Sequence, residues 1–191
     1  MKRVYVVHGW GTSPEEPCIS WIREQLEKKG YTAEALIMPN TDTPVIKEWV
    51  EKLREVVQNP DRSTYFIGHS IGGQAIMRFL AGLPGGSKIG GVVFLASWFV
   101  LKALEDEEAE KIAKPWVDTP IDFESLKQKT SHYVIILSDD DPWVPVDTTK
   151  KQFEKNVGAK VIIEHHKGHF TEEDGITEVP MVIKEVEKMA R

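Results

Sequence analysis

Short apolar runs rich in valine and isoleucine alternate along this chain with longer stretches of helical period. The short runs are Arg3–Val7, Ala33–Ile37, Thr64–Ile67, Gly91–Ala96, Tyr133–Leu137 and Lys160–Glu164. They are continuous rather than alternating in polarity, which predicts strands buried on both faces. Between them lie helix candidates at Cys18–Lys29, Val45–Gln58, Ile71–Ala81, Phe123–Lys129, Val146–Asn156 and Thr177–Met189. In the second of these, Val45, Trp49, Leu53 and Val56 or Val57 form one apolar stripe, with Lys47, Glu48, Glu51 and Lys52 mostly on the other side. Strand–helix alternation means βαβ units and a parallel sheet. The expected fold class is α/β: a three-layer α/β/α sandwich with a mainly parallel sheet of about six strands.

The 191 residues contain no internal repeat, no low-complexity tract and no linker long enough to divide domains, so one domain over 1–191 is expected. Pro84-Gly85-Gly86-Ser87 reads as a turn within it. The stretch from Lys102 to Pro120 is different: strongly acidic, then aromatic at Pro115-Trp116. It reads as a solvated helix, with a small flap as the alternative, and is too short to be a large cap domain.

Composition narrows the partners. A net charge of −6 with no basic tract leaves no electrostatic footprint for nucleic acid. The longest apolar runs, such as Val92–Ala96, are about a quarter of the ~20 residues that cross a bilayer. Met1-Lys2-Arg3 resembles a charged leader, but the apolar run behind it ends at Val7, too soon for a signal peptide. Cys18 is the single cysteine, which excludes an intrachain disulfide and a cysteine-based zinc site. A cytoplasmic protein without cofactor is the expectation, as monomer or homodimer, and no face is marked for a protein partner.

Gly68-His69-Ser70-Ile71-Gly72 follows the strand ending at Ile67 and opens the helix from Ile71. This is G-x-S-x-G in the strand–turn–helix context that makes it a nucleophile elbow. The turn lifts the serine hydroxyl clear of the sheet, and positions two before and two after it approach other backbone too closely for a β-carbon. The first helical turn adds N–H groups and a positive dipole end.

A serine hydroxyl is a weak nucleophile and needs a base oriented by a third group. On α/β-hydrolases these follow as Asp or Glu, then His, each after a later strand. Tyr133–Leu137 runs into Ser138-Asp139-Asp140-Asp141-Pro142-Trp143-Val144-Pro145, and Lys160–Glu164 runs into His165-His166-Lys167-Gly168-His169-Phe170. Asp141 leads a D-x-x-V-P pattern common at this place; Asp139 and Asp140 lie nearer the strand end, where an aspartate caps or braces a loop. His169 sits beyond the strand behind a glycine, whereas His165 and His166 continue from the strand and read as packing or solvent-facing residues. His69 and His8 read as structural. The triple aspartate lacks the regular spacing of a calcium loop, the His165, His166, His169 set is not His-Glu-x-x-His and the triad explains His169 better, so no metal is expected. The oxyanion donors are expected to be the backbone N–H groups of Ile71 and of Trp10 in the loop His8-Gly9-Trp10-Gly11.

With these residues in hand, the chain resembles the small serine hydrolases related to retinoblastoma-binding protein nine and to the bacterial YdeN-type proteins. The likeness is carried by His8-Gly9-Trp10 with Trp21, Met38-Pro39, Gly68-His69-Ser70, Met77-Arg78, Lys114-Pro115-Trp116, Asp140-Asp141-Pro142 and Gly168-His169-Phe170. It implies a compact six-stranded α/β-hydrolase fold without a large cap, esterase-like activity, and Asp141, the second aspartate of Asp-Asp-Pro, as the acid of a Ser70-His169-Asp141 triad. The mammalian namesake's partner motif Leu-x-Cys-x-Glu is absent, because Cys18 has no leucine two residues before it. The leading expectation is a carboxylesterase acting on small to medium esters, with Trp10, Trp98, Trp143 and Trp116 lining an apolar pocket. A thioesterase, amidase or peptidase on the same triad is the alternative, and a non-catalytic binding protein of the same fold is the third reading.

Overall fold

The computed structural model describes residues 1–102, 104 and 106–191. Six strands, β1 (Arg3–Val7), β2 (Thr32–Ala35), β3 (Thr64–His69), β4 (Gly91–Leu95), β5 (Tyr133–Ser138) and β6 (Lys160–Glu164), form one sheet in the order β2-β1-β3-β4-β5-β6. Every pairing is parallel. The described helices are α1 (Pro17–Lys28), α2 (Ile46–Val56), α3 (Ile71–Ala81), α4 (Glu107–Asp118), α5 (Phe123–Lys127), α6 (Val146–Val157) and α7 (Pro180–Met189). None is long and apolar enough to cross a membrane.

Alternate residues of the central strands enter two separate cores. Val4, Val6, Tyr65, Ile67, Val93 and Leu95 pack with α1 and α7. Tyr5, Val7, Phe66, Val92, Phe94 and Ile135 pack with α2, α3, α5 and α6. The three-layer sandwich follows from this division. Chain order reverses between β1 and β3, so the loops leaving these strands part there and open a crevice at the carboxyl edge of the sheet.

Three expectations shift. The second strand ends at Ala35 rather than Ile37. It is an edge paired only with β1; after the Leu36 N–H bond to the Val6 carbonyl the chain turns, Leu36 enters the core and Ile37 is left 76% exposed. Along α2 the stripe is Trp49, Val50, Leu53 and Val57, while Val45, which only precedes the helix, is exposed. The last helix starts at Pro180 rather than Thr177, with the proline in its first turn, where a missing N–H costs nothing.

The acidic stretch is a helix, as expected: Glu107, Glu108 and Glu110 are exposed, and Asp106 caps its N-terminus by accepting from the Ala109 N–H at 2.8 Å. Its leading end also reaches the crevice, as described below. Trp116 does not line the pocket. It lies on the inner face of α4, 1% exposed, with its indole N–H donating to the Pro44 carbonyl at 2.9 Å and its ring edge-on to Trp49. Trp116 is thus a core residue that ties α4 to the segment before α2.

Candidate active site

Ser70 stands between β3 and α3 at φ +52°, ψ −122°. That backbone costs a non-glycine residue about 1–3 kcal/mol and persists only where the surroundings impose it. Here they do. The Ser70 N–H donates to the Leu95 carbonyl at 2.8 Å, which anchors the turn to β4. A β-carbon at Gly72 would lie 2.5 Å from the Val7 carbonyl oxygen and 2.6 Å from that of His8; one at Gly68 would lie 2.6 Å from the backbone of Gly73. The two glycines let α3 settle directly on β1 and β3, and that close approach brings its first turn to the crevice.

Asp141 is buried, 1% exposed, in the loop leaving β5. Its Oδ1 accepts from the N–H groups of Trp143 and Val144, each at 2.9 Å, and its Oδ2 accepts from Nδ1 of His169 at 2.8 Å. The carboxylate is therefore oriented from one side by its own loop and presents the other oxygen to the imidazole. With Nδ1 carrying the proton, His169 keeps the lone pair on Nε2, the tautomer a general base requires. The ring is held edge-on by Trp143 at 4.9 Å.

The two aspartates beside it do other work. Asp140 accepts from the Ser138 hydroxyl at 2.6 Å, the Lys167 N–H at 3.1 Å and the Gly168 N–H at 2.9 Å. Asp139 takes the His165 ring at 2.5 Å and the His166 N–H at 3.1 Å. They clamp the β6 loop to the β5 loop, which is the bracing role expected of them. His165 and His166 are exposed and stand apart from His169. Among the described residues the metal-like grouping is Asp139, Asp140 and His166, all exposed, with their ligand atoms within 4.8 Å of one another.

His69 and His8 serve the frame of the site. The His69 Nε2–H donates to the His169 carbonyl at 2.8 Å, joining the elbow to the loop of the second histidine. Burial, reinforced by the neighbouring His169, pushes the His69 pKa down to about 3, so it stays neutral, and its Nδ1 has no partner. His8 donates from Nδ1 to the Gly9 carbonyl at 2.9 Å and accepts at Nε2 from the Met38 N–H at 3.4 Å, which fastens the loop after β1. Burial holds its pKa below the usual histidine value. In that loop the Trp10 N–H meets no acceptor among the described residues, and its indole donates to the Asp42 carbonyl at 2.8 Å. Ile71 opens α3, where the first N–H groups have no intrahelical partner.

Part of this frame borders a cavity of about 480 Å³. Ser70, His69, His169, Trp10, Trp98 and Trp143 line it, so three of the four expected tryptophans are there. Leu101, Leu104, Asp106 and Ala109 border it as well, so residues before and within the first turn of α4 reach the site. Glu16, Asp106, Glu172 and Glu173 border it, and among the described residues no lysine or arginine does.

Three supporting residues escaped the sequence reading. Asp174 accepts from the His169 N–H at 2.8 Å and from the Thr171 N–H and hydroxyl, which sets the backbone behind the imidazole. Its signal in the sequence is only the three-residue spacing from Thr171 that permits reciprocal bonds. Lys102 donates to the Asp141 carbonyl at 2.5 Å, and Gln74 donates to the Trp98 carbonyl at 2.7 Å; nothing in spacing marks either.

The same arrangement of strands recurs in known proteins. The chain is 28% identical over 181 residues to YdeN, named a hydrolase, of Bacillus subtilis (strain 168), covering 95% of this chain and 92% of that one. The crystal structure of the ydeN gene product superposes with a TM-score of 0.90 at 26% identity, over 99% of this chain and 98% of that one. Est1E from Butyrivibrio proteoclasticus, solved with ferulic acid bound, shares the fold at a TM-score of 0.68 and 14% identity, over 97% and 90% of the two chains. The sequence profile of the serine hydrolase family matches residues 4–188, a span that holds all six strands but for Arg3 and every loop at the cavity, and the chain belongs to that family.

Proposed function

We propose that this serine hydrolase is a carboxylesterase that works through an acyl-enzyme on Ser70. The observation that carries the reading is the buried, oriented His169–Asp141 pair, whose histidine lines the cavity that the elbow serine also borders. In the reaction, Nε2 of His169 takes the Ser70 proton as Oγ attacks the ester carbonyl, and returns it to the leaving alcohol. Asp141 keeps Nδ1 protonated and steadies the imidazolium. The N–H groups of Trp10 and Ile71 receive the oxyanion. Water then repeats the sequence and releases the acid. A cavity of about 480 Å³ walled by Trp10, Trp98, Trp143, Leu101 and Leu104 suits a small to medium ester with an apolar acyl or alcohol part.

Labelling with a fluorophosphonate probe tests the reading, with Ser70→Ala as control. Wild-type protein is expected to label at Ser70 and to cleave an activated phenyl ester, and the alanine variant to do neither. Wild-type protein that neither labels nor turns over the ester would overturn the proposal.

A further inference from the structure

Among the described residues, Ser70 Oγ makes one hydrogen bond, and its partner is the indole N–H of Trp98 at 3.3 Å. The donor is well held. Trp98 is 2% exposed, and its own carbonyl accepts from the Gln74 side chain at 2.7 Å. Arg78 donates to Gln74 Oε1 at 2.8 Å, and its other nitrogen donates to the carbonyls of Trp116 at 3.0 Å and Thr119 at 2.7 Å. Two short segments that sequence reading singles out far apart, Met77-Arg78 and Lys114-Pro115-Trp116, thus meet in one relay that ends at the peptide of Trp98. A ring whose only task was to wall the pocket would need neither its N–H aimed at the nucleophile nor its backbone braced from α3 and α4.

We propose that Trp98 is a catalytic residue that assists deacylation by donating its indole N–H to Ser70 Oγ, an inference that rests on the acyl-enzyme reading above. The two half-reactions use Oγ in opposite senses. In acylation Oγ gives its proton to His169 and its electron pair to the ester carbon; there the donor eases loss of the proton but withdraws the electron pair, and it is already bonded to the resting hydroxyl, so its net effect is small. In deacylation water attacks the acyl carbon while His169 Nε2 takes a water proton. The tetrahedral intermediate then collapses: the C–Oγ bond breaks, its electron pair stays on Oγ, and His169 passes its proton to Oγ as the carboxylic acid leaves. Negative charge gathers on Oγ in that step, so a donor already in place stabilises its transition state without reorganising. Hydrogen bonds strengthen when one partner becomes charged, so the 3.3 Å bond of the resting protein tightens in this step.

The test compares wild type with Trp98→Phe by stopped-flow hydrolysis of an activated phenyl ester. The first-turnover release of phenol reports acylation, and the steady state reports deacylation. Removing the N–H is expected to slow deacylation about 10-fold and to change acylation and the rate of fluorophosphonate labelling by less than about 3-fold. The phenol burst grows and kcat falls while kcat/KM holds. Equal losses in both steps, or none in either, would overturn the assignment and leave Trp98 a packing residue. Benzothienylalanine placed at position 98 keeps the shape of the indole and removes only the donor, so it must reproduce the Phe result if the N–H is responsible; a variant that behaves as wild type refutes the role. Failure of the wild-type protein to label at Ser70 is a different result, which removes the acyl-enzyme reading itself.

Discussion

Replacing Asp141 by asparagine separates the roles of three adjacent aspartates. Asp141 Oδ1 accepts from two backbone N–H groups at 2.9 Å, and Oδ2 accepts from His169 Nδ1 at 2.8 Å. An asparagine keeps its oxygen on the backbone pair, so its amide nitrogen, a donor, faces Nδ1. Two donors cannot share that contact. The imidazole must move its proton to Nε2, which removes the lone pair that receives the Ser70 proton. A wrong tautomer of this kind lowers turnover about 10⁴-fold in a triad, or about 5.5 kcal/mol of barrier. Asp140→Asn is the matched control. Asp140 Oδ1 accepts from the Ser138 hydroxyl and from the Lys167 and Gly168 N–H groups. An asparagine oxygen can retain these bonds, so the expected loss is below about 10-fold. The assay is kcat on an activated ester from pH 6 to 9, with thermal melting as a folding check. A large loss in Asp140→Asn beside an active Asp141→Asn would refute the assignment of the acid. Equal losses accompanied by equal falls in melting temperature would show that both residues merely hold the loop.

Other consequences follow from the frame of the site. Gly72→Ala drives a β-carbon into two backbone carbonyls of β1 and its loop, and is expected to cost about 1–3 kcal/mol in denaturant unfolding, whereas Gly85→Ala, with no atom within 4 Å of the added carbon, is neutral. His69 has a folded pKa near 3 against 6.5 for the free side chain. Its contribution is complete above pH 6.5 and declines as pH falls towards 3, because the unfolded chain then binds a proton that the fold refuses. At pH 5 that amounts to about 2 kcal/mol, and His69→Gln should show a shallower fall in unfolding free energy between pH 7 and 5; parallel curves would refute it. The four carboxylates at the cavity predict that a cationic ester is cleaved with at least about 10-fold higher kcat/KM than an isosteric anionic one at low ionic strength, and that salt narrows the gap. Equal rates would show that the rim is screened.

Local pattern carried the sandwich and the order of its parts. Continuous apolar runs such as Val92–Leu95, rich in valine, predict strands buried on both faces, and the strand–turn–helix setting around Ser70 predicts the elbow because glycine at 68 and 72 answers the close approach that such a turn requires. The order of Ser70, Asp141 and His169 was legible too, since each sits directly after a strand of a parallel sheet and all such loops emerge at one edge. Contacts between distant segments were not legible. Which tryptophan faces the cavity depends on helix placement: Trp116 turns inward because the Pro44 carbonyl, 72 residues away in sequence, offers its indole a partner. The limits of β2 depended on its place at the sheet edge, and the division of labour among Asp139, Asp140 and Asp141 on how the β5 and β6 loops lie against each other. The bond from Trp98 to Ser70 exists only because β3 and β4 are neighbours and Gln74 and Arg78 brace the strand exit from behind. Periodicity records whether a side chain meets water or core, while a directed hydrogen bond depends on coordinates that only the assembled tertiary structure supplies.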